Sequence, residues 1–125
     1  MFNFFQSMMN SGPAVSPADA VRAVADKRAV VVDVREADEV RATGKAKGAL
    51  NLPLSRLHLL ADPNSGHCDK TLLAAKKAGH DVYLYCASGA RSSRAAGVLR
   101  QHGYDKVHNL GNLNAWAQGG GQIAR

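Results

Sequence analysis

The chain has 125 residues, 46% of them hydrophobic and 21% charged, a composition that fills one core and leaves no room for a second independent domain. Sixteen basic against ten acidic residues give a formal charge of +6, which draws anions of any kind. The basic residues are scattered and aromatics are only 6%, which argues against a nucleic-acid surface, and no stretch approaches the roughly 20 apolar residues that cross a bilayer. Along the chain, the opening from Met1 to Met9 is apolar but broken by Asn3, Gln6 and Ser7, and it has no basic flank. It reads as a flap over the core or an oligomer contact, not as a targeting segment or membrane anchor. A cytoplasmic protein is the default.

Ser16-Pro17-Ala18-Asp19 opens a helix, with Ser16 as N-cap, Pro17 at the first position and Asp19 at the positive end of the dipole. Val21, Val24 and Ala25 then share a face. Ala29 to Val34 is a short β-branched run, the mark of a strand covered on both faces. Helix pattern runs from Glu36 to Ala42 and stops at Thr43-Gly44; a short strand follows over Gly48 to Leu52, before Pro53. A loop spans Ala61 to Asp69, where Asp69 caps a helix that reaches Ala78 and stops at Gly79. Val82 to Cys86 is a third buried strand, Arg91 to His102 a helix closed by Gly103, Lys106 to Leu110 the last strand, and Leu113 to Gln118 a short helix. Short buried strands alternating with helices predict an α/β domain, a parallel sheet with helices on both faces, over residues 14–119. Residues 1–13 are then an apolar extension, and the glycine-led residues 120–125 a flexible tail. In such a sheet ligands bind beyond the carboxyl ends of the strands.

One such end carries the chemistry. Cys86 closes a buried strand, Ala87, Ser88, Gly89 and Ala90 make a tight turn of small residues, and Arg91 and Ser92 begin a helix. A sulfur at a helix N-terminus faces unpaired N–H groups and the positive end of the dipole, which favours the thiolate. Small residues let successive N–H groups point inward as a nest for an anion or for the outer sulfur of a persulfide, and Gly89 supplies any positive φ. Arg91 can orient the loop and pair with an anionic donor, while Ser88 and Ser92 can add side-chain hydrogen bonds. A strand-end cysteine is by itself more often a small core hydrophobe; the turn, arginine and helix that follow here outweigh that reading.

Asp33 and Arg35 lie past the first strand and are supporting candidates that either tune the loop or, as such pairs more commonly do, brace the strand–helix turn. Cys68 can act as a resolving thiol, but an ordinary loop cysteine is the commoner case. His67 and Cys68 are adjacent without spaced partners, and His58, His80, His102 and His108 form no constellation, so neither metal nor cofactor is called for. Trp116 reads as core packing near the site.

The sequence resembles the rhodanese family through four motifs in that family's order. They are Val32-Asp33-Val34-Arg35-Glu36, Gly44 through Pro53, the loop Cys86 through Ser92, and Leu110-Gly111-Asn112-Leu113-Asn114-Ala115-Trp116. The resemblance implies a five-stranded parallel sheet and a persulfide on Cys86. It also implies sulfur transfer from a small anionic donor such as thiosulfate to cyanide or a thiol, a protein thiol included. It separates sulfurtransferases, with a six-residue loop, from the phosphatase and arsenate-reductase branch, whose loop is one residue longer; Cys86 to Arg91 is the six-residue form. Lys45 stands where the family has His, and Asn112 where it has a second Gly, a change that fits because Asn tolerates a left-handed backbone. A non-enzymatic sulfur carrier or protein-binding module is the alternative, and a phosphatase-like enzyme a more distant one.

Overall fold

The structure is a computed structural model that describes residues 15–125; the Phe-rich opening lies outside the described residues. Helix α1 (Pro17–Ala25) begins as its sequence dictates, the Ser16 hydroxyl accepting from the Asp19 N–H at 3.3 Å. Its most buried positions are Ala20 and Ala23, which let the helix lie close on the sheet, while Val21 and Val24 are only half-buried beside them.

Strand β1 (Ala29–Asp33) is followed by α2 (Ala37–Thr43), which carries a capping box between Glu36 and Glu39. Two short strands, β2 (Lys45–Ala46) and β3 (Leu50–Asn51), come next. A 3₁₀ turn at Leu54–Arg56 then leads into α3 (Leu57–Ala61), a helical stretch the sequence pattern did not reveal. Helix α4 (Lys70–Ala78) is capped by Asp69 and stopped by the left-handed Gly79, as expected. Strand β4 (Asp81–Cys86), α5 (Ala90–Gln101), β5 (Val107–Asn112) and α6 (Leu113–Gln118) complete the alternation.

The sheet is parallel in the order β3-β1-β4-β5, with Val32 opposite both Leu50 and Leu84. Side chains alternate between its two faces. Val32, Val34, Val82, Leu84 and Cys86 meet α3, α4 and α5 through Leu57, Leu72, Ala95 and Leu99. Val31, Tyr83 and Tyr85 face α1 and α6 through Ala20 and Trp116. Helices therefore cover both faces.

Two expectations change. The parallel sheet has four strands among the described residues, not five, because Lys45–Ala46 turns away and pairs antiparallel with β6 (Ile123–Ala124). The glycine-led tail is accordingly docked instead of free. Lys47 N–H donates to Gln122 O at 2.9 Å, and the Trp116 indole Nε1 donates to the same carbonyl at 2.8 Å. Three glycines were a poor guide because they permit the tight return that brings Gln122 onto Trp116; a Cβ on Gly121 would collide with the indole. No helix among the described residues is long and apolar enough to cross a membrane.

Candidate active site

Cys86 is the last residue of β4 and is 1% exposed. The chain then bends through Ala87, Ser88 and Gly89 into α5, with Gly89 at φ 101° as the N-cap. That left-handed geometry turns the Gly89 N–H onto Cys86 Sγ at 3.0 Å; the Ser92 N–H and the Ser92 hydroxyl both lie 3.4 Å from the sulfur. Burial pushes the thiol up, but the Ser92 hydroxyl, when its proton faces the sulfur, and the N–H groups of Ser92, Gly89 and Ser88 outweigh it and bring Cys86 down to about 7. A substantial thiolate fraction at neutral pH follows. Ala87, Ser88 and Ala90 are exposed at the mouth, so the loop presents backbone, not bulky side chains, to an incoming group.

Arg91 does not stand free for an anion. Its Nη1 and Nη2 donate to Glu39 Oε1 and Oε2 at 2.7 and 2.8 Å, a bidentate pair that ties the loop to α2. Arg91 holds Glu39 down to about 2, helped by the Glu36 backbone, whose N–H donates to Oε1 at 3.0 Å. This pair fits the loop-orienting part expected of Arg91, and Glu39, which no sequence motif singled out for it, is its partner. A Glu three residues past a helix start was visible as a capping-box signal; its reach to a residue 52 positions on was not.

Asp33 and Arg35 form a brace. Their side chains are 0% and 6% exposed, Arg35 Nη2 meets Asp33 Oδ2 at 2.7 Å, and Nε meets both carboxylate oxygens at 3.0 and 3.2 Å. Arg35 further donates to Thr43 Oγ1 at 2.8 Å and Gly44 O at 2.9 Å, fastening α2 to β1. Neither side chain bonds to the Cys86 loop among these contacts. Asn51 Nδ2 donates to the carbonyls of Asp33 and Arg35, closing the same corner from β3.

Cys68 is a half-buried free thiol in the loop before α4, pushed up by burial and by Asp69 and Asp62, the reverse of what a resolving nucleophile needs. His58 and His102, unconnected in the sequence, meet edge-on with ring nitrogens 3.4 Å apart. Lys45, in the position where His was expected, donates to Ala49 O at 2.6 Å and holds the β2–β3 turn. Asn112 is extended at φ −150° and caps α6 through Ala115 N–H; the left-handed residue is its neighbour Gly111, at φ 102°.

A residue the sequence reading missed completes the loop. Asn109 on β5 accepts from the Ser92 hydroxyl at 2.7 Å and from Gly111 N–H at 3.0 Å, and donates from Nδ2 to Gly89 O at 3.0 Å. The β4–β5 register shifts between Leu84 and Tyr85, so Leu110 is an extra residue on β5. Bulges of this kind redirect side chains beside active sites.

Residues 16–118 match the rhodanese-like domain family. The uncharacterised protein YqhL of Bacillus subtilis is 38% identical over 98 residues, covering 78% of this chain and 65% of that protein, so the chain spans just under two thirds of that relative's length. The human thiosulfate:glutathione sulfurtransferase is 30% identical over 113 residues, 88% of this chain and 97% of that one. Among solved structures, a Rhodopseudomonas palustris protein of unknown function, described as a possible tyrosine phosphatase, superposes with a TM-score of 0.73 at 28% identity, covering 89% of this chain and 83% of its own. A match to the family over most of the chain, joined to a strand-end cysteine in a nest of N–H groups, settles the kinship: this chain belongs to the rhodanese-like domain family.

Proposed function

We propose that the protein is a sulfurtransferase that carries sulfur as a persulfide on Cys86. The observation that carries this reading is the sulfur itself, buried at the end of β4 and approached by the N–H groups of Gly89 and Ser92 in a loop of six residues from Cys86 to Arg91. Named relatives such as the human thiosulfate:glutathione sulfurtransferase support it.

With thiosulfate as donor, the Cys86 thiolate attacks the outer sulfur, the sulfur–sulfur bond of the donor breaks, and sulfite leaves with the electron pair. The new Cys86 persulfide carries the negative charge on its outer sulfur, where loop N–H groups can receive it. An acceptor nucleophile, cyanide or a thiol, then attacks that outer sulfur and returns Cys86 as thiolate. Arg91, held by Glu39, keeps the loop in shape, so donor charge is met chiefly by backbone dipoles and by the net positive charge of +6. The reaction suits a reducing, cytoplasmic setting in which both cysteines stay free.

The test is intact-protein mass after thiosulfate and then cyanide, for the native chain and Cys86→Ser. One added sulfur on the native chain alone, removed as thiocyanate, supports the reading. Hydrolysis of an aryl phosphate without sulfur uptake would favour the phosphatase described for the R. palustris neighbour. Sulfur uptake without turnover on small acceptors would make the chain a carrier.

A further inference from the structure

The Asn109 amide is oriented by two backbone partners that leave no choice. Gly111 N–H can only donate, which places Oδ1 toward it, and Gly89 C=O can only accept, which places Nδ2 there. Oδ1 is therefore an acceptor, and the 2.7 Å contact from Ser92 Oγ must use the single proton of the Ser92 hydroxyl. Ser92 also touches Cys86 Sγ, at 3.4 Å. While its proton points at Asn109, the hydroxyl offers the sulfur only a lone pair, which suits an S–H and does nothing for a thiolate. To stabilise the thiolate, the proton must turn from Asn109 to Cys86.

We infer that Asn109 is a positioning residue that competes with Cys86 for the Ser92 proton, so that the sulfur holds its own proton more firmly than the loop alone would set. Ser92 and Cys86 are both buried, so no water replaces the donor that the sulfur loses, whereas Asn109 is exposed. Asn109 keeps a second donor, Gly111 N–H, when the proton turns away, which lets the hydroxyl move without leaving Oδ1 unsatisfied. On the persulfide reading, which this inference extends, the charge moves to the outer sulfur once Cys86 is loaded, and the hydroxyl returns to Asn109. A thiol serves best as nucleophile when it titrates near ambient pH, because basicity and nucleophilicity fall together. Asn109 thus guards the reactivity of the thiolate against over-stabilisation by its own loop.

The charged groups around this end of the sheet are Arg91 paired with Glu39 across α5 and α2, Glu36 beside them, and Arg35 paired with Asp33 on β1. None of these side chains hydrogen-bonds to Ser92 or Asn109, and the titratable residue of β5, His108, is paired with Asp81 at 2.7 Å.

The experiment is the pH profile of Cys86 alkylation by iodoacetamide, read by peptide mass so that Cys68 is followed in the same samples. Four chains are compared: native, Asn109→Leu, Ser92→Ala and the double variant. Losing the Gly89 anchor is common to both Asn109→Leu chains and cancels in the cycle. Ser92→Ala is expected to move the Cys86 midpoint little in the native background, and to raise it by about half a unit or more, about threefold in thiolate fraction, in the Asn109→Leu background. Equal shifts in the two backgrounds would overturn the inference. Should Asn109→Leu fail to fold, Ser92→Ala alone decides: a rise of about one unit in the native background overturns the inference, and a negligible one upholds it. Iodoacetamide needs no sulfur donor, so failure of the persulfide reading would leave this result intact.

Discussion

Replacing Asp33 with alanine would leave the Arg35 guanidinium buried without a counter-charge. The pair is 0% and 6% exposed and is joined by three side-chain N–H···O contacts of 2.7 to 3.2 Å, and the Arg35 backbone N–H also donates to Asp33 Oδ1 at 3.0 Å. Arg35 would keep Thr43 Oγ1 and Gly44 O, which satisfy donors but do not neutralise charge. Removing one partner of such a pair costs about 3–5 kcal/mol, because the other charge stays desolvated. With a urea slope of about 1.5 kcal/mol/M, typical of a small domain, the midpoint should fall by about 2–3 M. Urea unfolding followed by far-UV circular dichroism measures this directly. Asp33→Leu combined with Arg35→Met should recover much of the loss, since no charge is then stranded. The pH midpoint of Cys86 alkylation in folded Asp33→Ala should stay where it is in the native chain. A small stability change with a shifted Cys86 midpoint would refute the brace and revive Asp33 as a tuner of the loop.

Three further outcomes follow from particular contacts. Glu39 is depressed from an ordinary 4.5 to about 2, so its pairing stabilises the fold above 4.5 and is lost as pH falls toward 2; Glu39→Gln should flatten stability across that window, and an unchanged acid limb would count against the pair. Gly89→Ala places a Cβ at φ 101°, at a cost of about 1–2 kcal/mol, and should raise the pH midpoint of Cys86 alkylation by pulling the Gly89 N–H off the sulfur; a native profile would show that the loop tolerates the change. Gly121→Ala drives a methyl into the Trp116 indole and should release the Ile123–Ala124 strand, seen as faster proteolysis beyond Gln118, whereas native resistance would mean that the tail is not held there.

Much of this was legible in the chain because local and global signals agree. The β-branched run Ala29 to Val34 and the run Val82 to Cys86 could only be strands covered on both faces, and Ser16, Asp69 and Gly79 cap helices by chemistry that acts within three or four residues. The Cys86 turn was readable for the same reason. What escaped notice depends on distant partners: Glu39 reaches Arg91, Asn109 reaches back to Gly89 and Ser92, and Gln122 meets Trp116 after a glycine return. Leu54 to Ala61 hid its helical turns because Pro53 and a short apolar run suit a loop as well as a helix start. The docked tail pulls β2 into a ribbon of its own, and no periodicity in two-residue strands announces that pairing.

The most direct test of the central claim is the mass of the intact protein after brief exposure to thiosulfate, followed by cyanide. A persulfide on Cys86 predicts the gain of one sulfur, absent in Cys86→Ser and erased by cyanide with an equal yield of thiocyanate. An unchanged mass with thiosulfate and with other sulfane donors, while Cys86 still alkylates readily at neutral pH, would contradict it.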